Sequence, residues 1–242
     1  MKLILPLDLD KGQKLHADAV ILATGNEAPA DVISAEAKET LGAFYIANPW
    51  QPEVLAAVGA DDEVLIVGTG LTMIDYVVSL KKRNHRGKIT AVSLNGLLPK
   101  QHKPTEAYTI ARKVADENIH RVFEKLKAEF AEAAAGNIDW RSVLDALRTD
   151  TTALWRGLSE ESKKIFLTEY RPLWEIHRHR MPKASADELA ESIDAGNLEI
   201  VAGRITAAGK QAGKFTVFYE TPAGEKKTLT ANFIINCTGP SG

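Results

Sequence analysis

Three short apolar runs that end in glycine dominate the hydrophobic pattern of the chain: 17–25 (ADAVILATG), 64–70 (VLIVGTG) and 231–239 (ANFIINCTG). The first and last run apolar and β-branched into Thr-Gly, the pattern of a buried strand that stops at a tight turn. Residues 2–9 and 14–24 read as strands separated by Asp10-Lys11-Gly12-Gln13, which predicts a hairpin. Residues 26–62 are irregular and punctuated by Pro29, Pro49 and Pro52, as expected of a linker between domains. Strand 63–67, a glycine turn, a helix through about residue 80 and strand 88–94 then make a βαβ unit.

From 103 to 195 the period changes to helical. Ile119, Val122, Phe123, Leu126 and Phe130 recur at helix spacing, as do Trp140, Val143, Leu144 and Leu147, then Ile165, Phe166, Tyr170, Leu173 and Trp174. These stripes predict packed cores. Ser185 with Glu188 reads as a capping box and Gly196 as the closing glycine of a helix over 186–195. Segments 197–205, 213–220 and 226–237 are expected to form a small antiparallel sheet.

The central run carries the most specific chemistry. Gly68 permits a sharp turn, Gly70 lets a pyrophosphate approach the backbone, and the helix that follows offers unpaired N–H groups at its positive dipole end. That makes Gly68, Thr69, Gly70, Leu71 and Thr72 candidate cofactor-binding residues, with Ser93 at the end of the second strand. Thr24, Gly25, Thr238 and Gly239 are candidates at the two matching strand ends. Each has a plainer alternative: a turn glycine, a helix-start threonine or simple strand termination. Met73 stands where the usual fingerprint has Gly or Ala, so the motif is incomplete. Ser93-Leu94-Asn95 offers neither an acid for a ribose 2′-hydroxyl nor a basic pair for a 2′-phosphate. In His177-Arg178-His179-Arg180, Arg178 and Arg180 either fold back over phosphates or complement a helix end. No metal site assembles from local spacing, and no catalytic side chain is assigned. Hydrolase and kinase signatures do not occur.

Composition narrows the classes further. The chain has 242 residues, 45% of them hydrophobic and 26% charged, enough for one large core or two modest ones. A formal charge of -2 argues against a nucleic-acid partner or an anionic membrane surface. No apolar stretch approaches membrane-spanning length. Cys237 is the only cysteine and lies in an apolar run, which fits a buried thiol in a reducing cytoplasm.

Residues 17–26, Asn48-Pro49-Trp50, the stretch 67–75, Gly96-Leu97-Leu98-Pro99, Arg178-His179-Arg180-Met181-Pro182 and Asn236-Cys237-Thr238-Gly239-Pro240 together resemble the bacterial FAD/NAD(P)-binding protein family. That family is similar to two-dinucleotide flavoproteins such as the flavin monooxygenases and the lysine or ornithine N-hydroxylases. The resemblance implies an α/β fold: a Rossmann-like NAD(P)-binding domain, 49–196, carrying a helical block at 103–195, inserted in a partial FAD-type domain formed by 1–48 and 197–242. It implies an FAD-dependent oxidoreductase in which hydride passes from NAD(P)H to flavin, with an unidentified small-molecule substrate. Relatives carry a glycine-rich FAD unit before the first matched segment and a further FAD-contacting stretch after the last. The chain therefore reads as an internal fragment, with FAD binding weak or absent. The alternative is a non-catalytic module that binds a dinucleotide or a partner.

Overall fold

Val64–Val67 (β4) is buried along its whole length, as befits a four-residue aliphatic run with neighbours on both sides. In the computed structural model, which describes residues 5–8, 12–21, 23, 25, 27–51, 54–211 and 214–240, this strand lies at the centre of a five-stranded parallel sheet. The sheet order is Tyr45–Ile46 (β3), Phe233–Asn236 (β10), β4, Ile89–Ser93 (β5) and Leu198–Ala202 (β6), with every pairing parallel. The chain runs outward from β4 to β5 to β6, then returns to the other side of β4 as β10. The strand order thus reverses between β4 and β10, which makes that boundary the switch point of the sheet.

Alternate side chains of β4 enter two cores. Val64 and Ile66 pack with Met73, Ile74, Val77 and Leu80 of the helix Leu71–Lys82 (α2) and with Leu189 of Lys183–Asp194 (α8). Leu65 and Val67 face Phe215, Val217 and Ala231 on the opposite side. Those residues belong to a second sheet, antiparallel, made of Arg204–Gln211 (β7), Lys214–Glu220 (β8) and Lys226–Ala231 (β9). The helix Ala35–Leu41 (α1) joins the same layer through Leu41. Helices, parallel sheet and antiparallel sheet therefore stack as three layers.

The helical block has a core of its own. Ile119–Ala135 (α3), capped by the Asn118 side chain, buries Ile119, Val122 and Leu126 against Leu144 of Trp140–Ala146 (α4) and against Leu147 and Leu158. Thr151–Gly157 (α5), Glu160–Ile165 (α6), a π-helical turn over Phe166–Tyr170 and Arg171–Arg178 (α7) complete it. Residues 103–118 precede α3 without helix, contrary to the helical expectation for that stretch. They are tied down by side chains instead: the fully buried Glu129 accepts from the Tyr108 hydroxyl and the Ala111 amide, both at 2.9 Å.

Several sequence expectations need correction. The hairpin exists as Leu5–Asp8 (β1) against Lys14–Ala17 (β2), and the described residues among 18–25 carry no strand. Ile21 is 90% exposed, so its β-branched, apolar character does not mark a buried strand; no sheet edge among the described residues takes it up. The segment 26–62 is not only a linker, since it supplies α1 and β3. The domain boundaries at 48/49 and 196/197 do not divide the sheet, because β3, β6 and β10 hydrogen-bond into the same sheet as β4 and β5. Residues 198–202 and 233–236 are parallel strands, and only the segments between them form the antiparallel sheet. Helix α8 starts at Lys183, ahead of the Ser185 box, with Pro182 at its cap; Gly196 follows its end at φ +73°, as expected of a closing glycine.

Candidate functional site

The carboxyl ends of β4, β5, β6 and β10 open onto one cleft of about 990 Å³. Its floor is the turn Gly68-Thr69-Gly70 and the first residues of α2; its far wall is α7, through Pro172, Glu175, Ile176 and His179. Open parallel sheets bind ligands at this position, outside the strand ends at the switch point.

The two turn glycines do different things. Gly68 sits at φ +105°, and a Cβ there would lie 2.8 Å from the Cys237 carbonyl carbon and closer still to its oxygen. The turn has to pass directly over β10, whose Cys237 amide donates to the Val67 carbonyl at 2.7 Å. Gly70 is the N-cap of α2 at φ -80° and has nothing within 4 Å of a Cβ position. It leaves open space in front of the helix, where the first amides have no partner within the helix. No side chain caps this end.

Thr69 and Ser93 are structural in their side chains. The buried Thr69 hydroxyl donates to the Leu97 carbonyl at 2.6 Å and is 2.8 Å from the Ser93 hydroxyl, which also accepts from the Gly96 amide at 3.1 Å. These bonds hold the loop after β5 against the glycine turn, so the two residues shape the cleft and present mainly backbone to it. Leu71 and Thr72 line it as well.

At the other side of β4, Thr238 and Gly239 also line the cleft. The Thr238 hydroxyl and amide both bond to the Asn236 Oδ1, at 2.8 and 3.3 Å, while the Asn236 amide nitrogen donates to the Ala30 carbonyl at 2.9 Å. Cys237 forms part of the same wall with its side chain buried; burial, and after it the charge of Asp75, pushes its thiol up to about 12. The first strand end behaves otherwise. Gly25 is exposed at φ +78° and does not line the cleft, and Thr24 lies outside the described residues.

Of the basic cluster, Arg178 and Arg180 do not line the cleft. Arg180 is buried in an ion pair with Asp145, donates to the His177 carbonyl at 3.0 Å and stacks over Trp140. Asp145 also accepts from Thr105 at 3.1 Å, and although burial opposes ionisation, Arg180 and Thr105 hold its carboxyl below the usual range. The sequence could not show this, because the partner of Arg180 stands on α4. His179 does line the cleft, paired with Glu175 at 2.9 Å. The backbone seals the arrangement: Lys100 N donates to Ile176 O at 2.8 Å, Met181 N to Lys100 O at 3.0 Å and His102 N to Met181 O at 2.7 Å. The residues just after the Gly96–Pro99 motif and the Arg178–Pro182 motif are thus two sides of one seam that fastens α7 beside the cleft.

Arg204 and Glu175 line the cleft without having been singled out from sequence, and Trp50 of the Asn48-Pro49-Trp50 motif lines it too. Trp50 follows an Asn48 that accepts its amide at 3.1 Å. Arg204 follows β6, the fourth strand of the parallel sheet in chain order, and a cation just after a strand end is the available signal. Among the described residues no three metal-ligating side chains cluster, and no helix is long and apolar enough to cross a membrane.

No family model and no curated protein matches the chain. Solved structures do match. The ornithine N-hydroxylase of Kutzneria sp. 744, with reduced FAD, NADP+ and L-ornithine, is similar over 98% of this chain and 49% of its own, at 13% identity and a TM-score of 0.54. The reduced ornithine hydroxylase of Pseudomonas aeruginosa is similar over the same shares, at 12% identity and a TM-score of 0.52. The chain shares the mixed α/β fold of these structures and spans about half the length of the solved structures it matches.

Proposed function

We propose that the cleft binds a nicotinamide dinucleotide, and that the chain is the NAD(P)H-presenting portion of an FAD-dependent oxidoreductase. One observation carries this reading: an open Gly70 and uncapped α2 N-terminus face a cleft of about 990 Å³ at the reversal of strand order. An anion placed there meets backbone N–H groups and a positive dipole end. In this reading Gly68 forms the turn, Gly70 leaves room for the pyrophosphate, and the Leu71 and Thr72 amides hold it. Thr238 and Gly239 border the neighbouring half of the ligand. When bound, the nicotinamide supplies hydride, and the protein's part is to bind it, orient it and exclude water.

The described residues do not fit a second dinucleotide. They contain one strand, glycine turn and helix unit of this kind, and its cleft is already assigned. We therefore assign FAD to other parts of a longer protein and derive no step through it. The small-molecule substrate is not specified by these residues. Calorimetric titration with NADH and NADPH tests the reading: saturable binding with one nucleotide per chain supports it, and no heat at millimolar nucleotide refutes it. Reconstitution of the longer protein with FAD then separates the two functional classes. A yellow protein that oxidises NADPH is the enzyme; a colourless one that still binds nucleotide is a module without turnover.

A further inference from the structure

The end of β5, where Rossmann folds distinguish the two nicotinamide nucleotides, is chemically mute in its own residues. Ser93 is engaged with Thr69, and Leu94 is 54% exposed. The neighbouring strand supplies what is missing. Ser93 is in register with Ala202, the last residue of β6, and the Gly203 amide donates to the Ser93 carbonyl at 2.9 Å. Gly96, at φ +60°, comes so close to Ala202 that a Cβ on it would lie 3.1 Å from the alanine methyl. The loop after β5 and the start of β7 are thereby pressed together. Arg204 follows directly, exposed and lining the cleft beside Leu94 and Asn95. A register shift between Ile205 and Ala207 begins just beyond it, a device that re-aims side chains at strand ends.

Arg204 also has no carboxylate partner among the described residues. Glu220 lies opposite it in the β7–β8 register but forms no ion pair with it; the Glu220 Oε1 lies 4.0 Å from the Cβ position of Gly224. The remaining acidic and basic side chains lining the cleft are Glu175 and His179, which lie 2.9 Å apart, and Glu175 also meets Arg171 at 3.6 Å. A guanidinium free of carboxylates at the adenosine end of a dinucleotide cleft is suited to a phosphate, which it grips through a planar fork of donors.

We propose that Arg204 binds the 2′-phosphate of the adenosine ribose and makes the site selective for the phosphorylated nucleotide, NADPH over NADH. The assignment rests on the dinucleotide reading of the cleft. It takes the role that one of the two sequence readings gave to Arg178 or Arg180 and places it on a different element.

The test uses the full chain, with NADPH, NADH, 2′,5′-ADP and AMP as probes in calorimetry. Wild type is expected to bind NADPH more tightly than NADH, and 2′,5′-ADP more tightly than AMP. Arg204→Gln should weaken NADPH about ten- to a hundredfold, the scale of a charge-assisted contact, while NADH changes less than about twofold. Arg204→Lys should retain part of the preference, and circular dichroism checks that each variant is folded. Equal weakening of both nucleotides, or a wild type that binds them equally, overturns the role of Arg204 while leaving the cleft assignment standing. A wild type that binds none of the four overturns the dinucleotide reading itself, and this inference with it.

Discussion

Alanine at Gly68 and alanine at Gly70 are expected to fail in opposite ways. At Gly68 the backbone is at φ +105°, where an L side chain is strained by about 1–3 kcal/mol, and the new methyl collides with the Cys237 carbonyl. Relief requires β4 and β10 to separate where the Cys237 amide bonds to the Val67 carbonyl. Gly68→Ala should therefore lose at least about 2 kcal/mol of stability, a drop of several degrees in midpoint for a chain of this size. Gly70 is at φ -80° with free space around it, and the N-cap preference for glycine over alanine offsets the entropy that alanine removes from the unfolded chain, so alanine there should change stability by less than about 1 kcal/mol. Its methyl projects into the space assigned to the pyrophosphate, and the nucleotide should bind at least about tenfold more weakly, a loss of about 1.4 kcal/mol. Urea denaturation gives the stabilities and calorimetry the affinities. A Gly70→Ala protein that binds NADPH as wild type does refutes the phosphate assignment; a Gly68→Ala protein as stable as wild type refutes the packing argument.

Three further outcomes follow from the same contacts. Arg180→Ala should destabilise the chain by about 1–3 kcal/mol, because Asp145 loses its cation, yet leave the NADPH/NADH ratio unchanged; a shift in that ratio would return Arg180 to the cleft. His85 is buried with its Nδ1 unpartnered, and burial lowers its pKa below the ordinary value of about 6.5. The unfolded chain then binds the extra proton first, so stability should fall as pH drops below about 6.5, and His85→Gln should flatten the urea midpoint across that range. Cys237 is 5% exposed with its thiol pushed up to about 12, so a disulfide-exchange reagent at pH 8 should label it only after unfolding; rapid labelling of the folded chain would contradict the placement of β10.

The βαβ unit was legible because its signals are local. A four-residue aliphatic run, two glycines and an amphipathic helix lie within about twenty consecutive residues, and each forms as read. The composition of the sheet was not legible. β3, β6 and β10 are short apolar runs, and a buried strand carries no mark of which neighbour it joins, so the matching Thr-Gly ends suggested a pair in a host domain. The structure separates them: Thr238-Gly239 follows a strand inside the sheet, whereas Gly25 is exposed and belongs to no strand. The basic cluster misled for a similar reason. Arg180 meets Asp145 from another helix, a relation that local spacing does not encode. Arg204 lies in an ordinary strand sequence and gains its position only from the register of β5 with β6.

The central claim is that a nicotinamide dinucleotide lies across the strand ends with its pyrophosphate on α2. A crystal structure of the chain with NADP+ tests it most directly. The account predicts pyrophosphate oxygens within hydrogen-bond distance of the Leu71 and Thr72 amides, directly over Gly70. A nucleotide bound elsewhere, or a cleft still empty after soaking at millimolar NADP+ in a lattice that leaves it open, would contradict it.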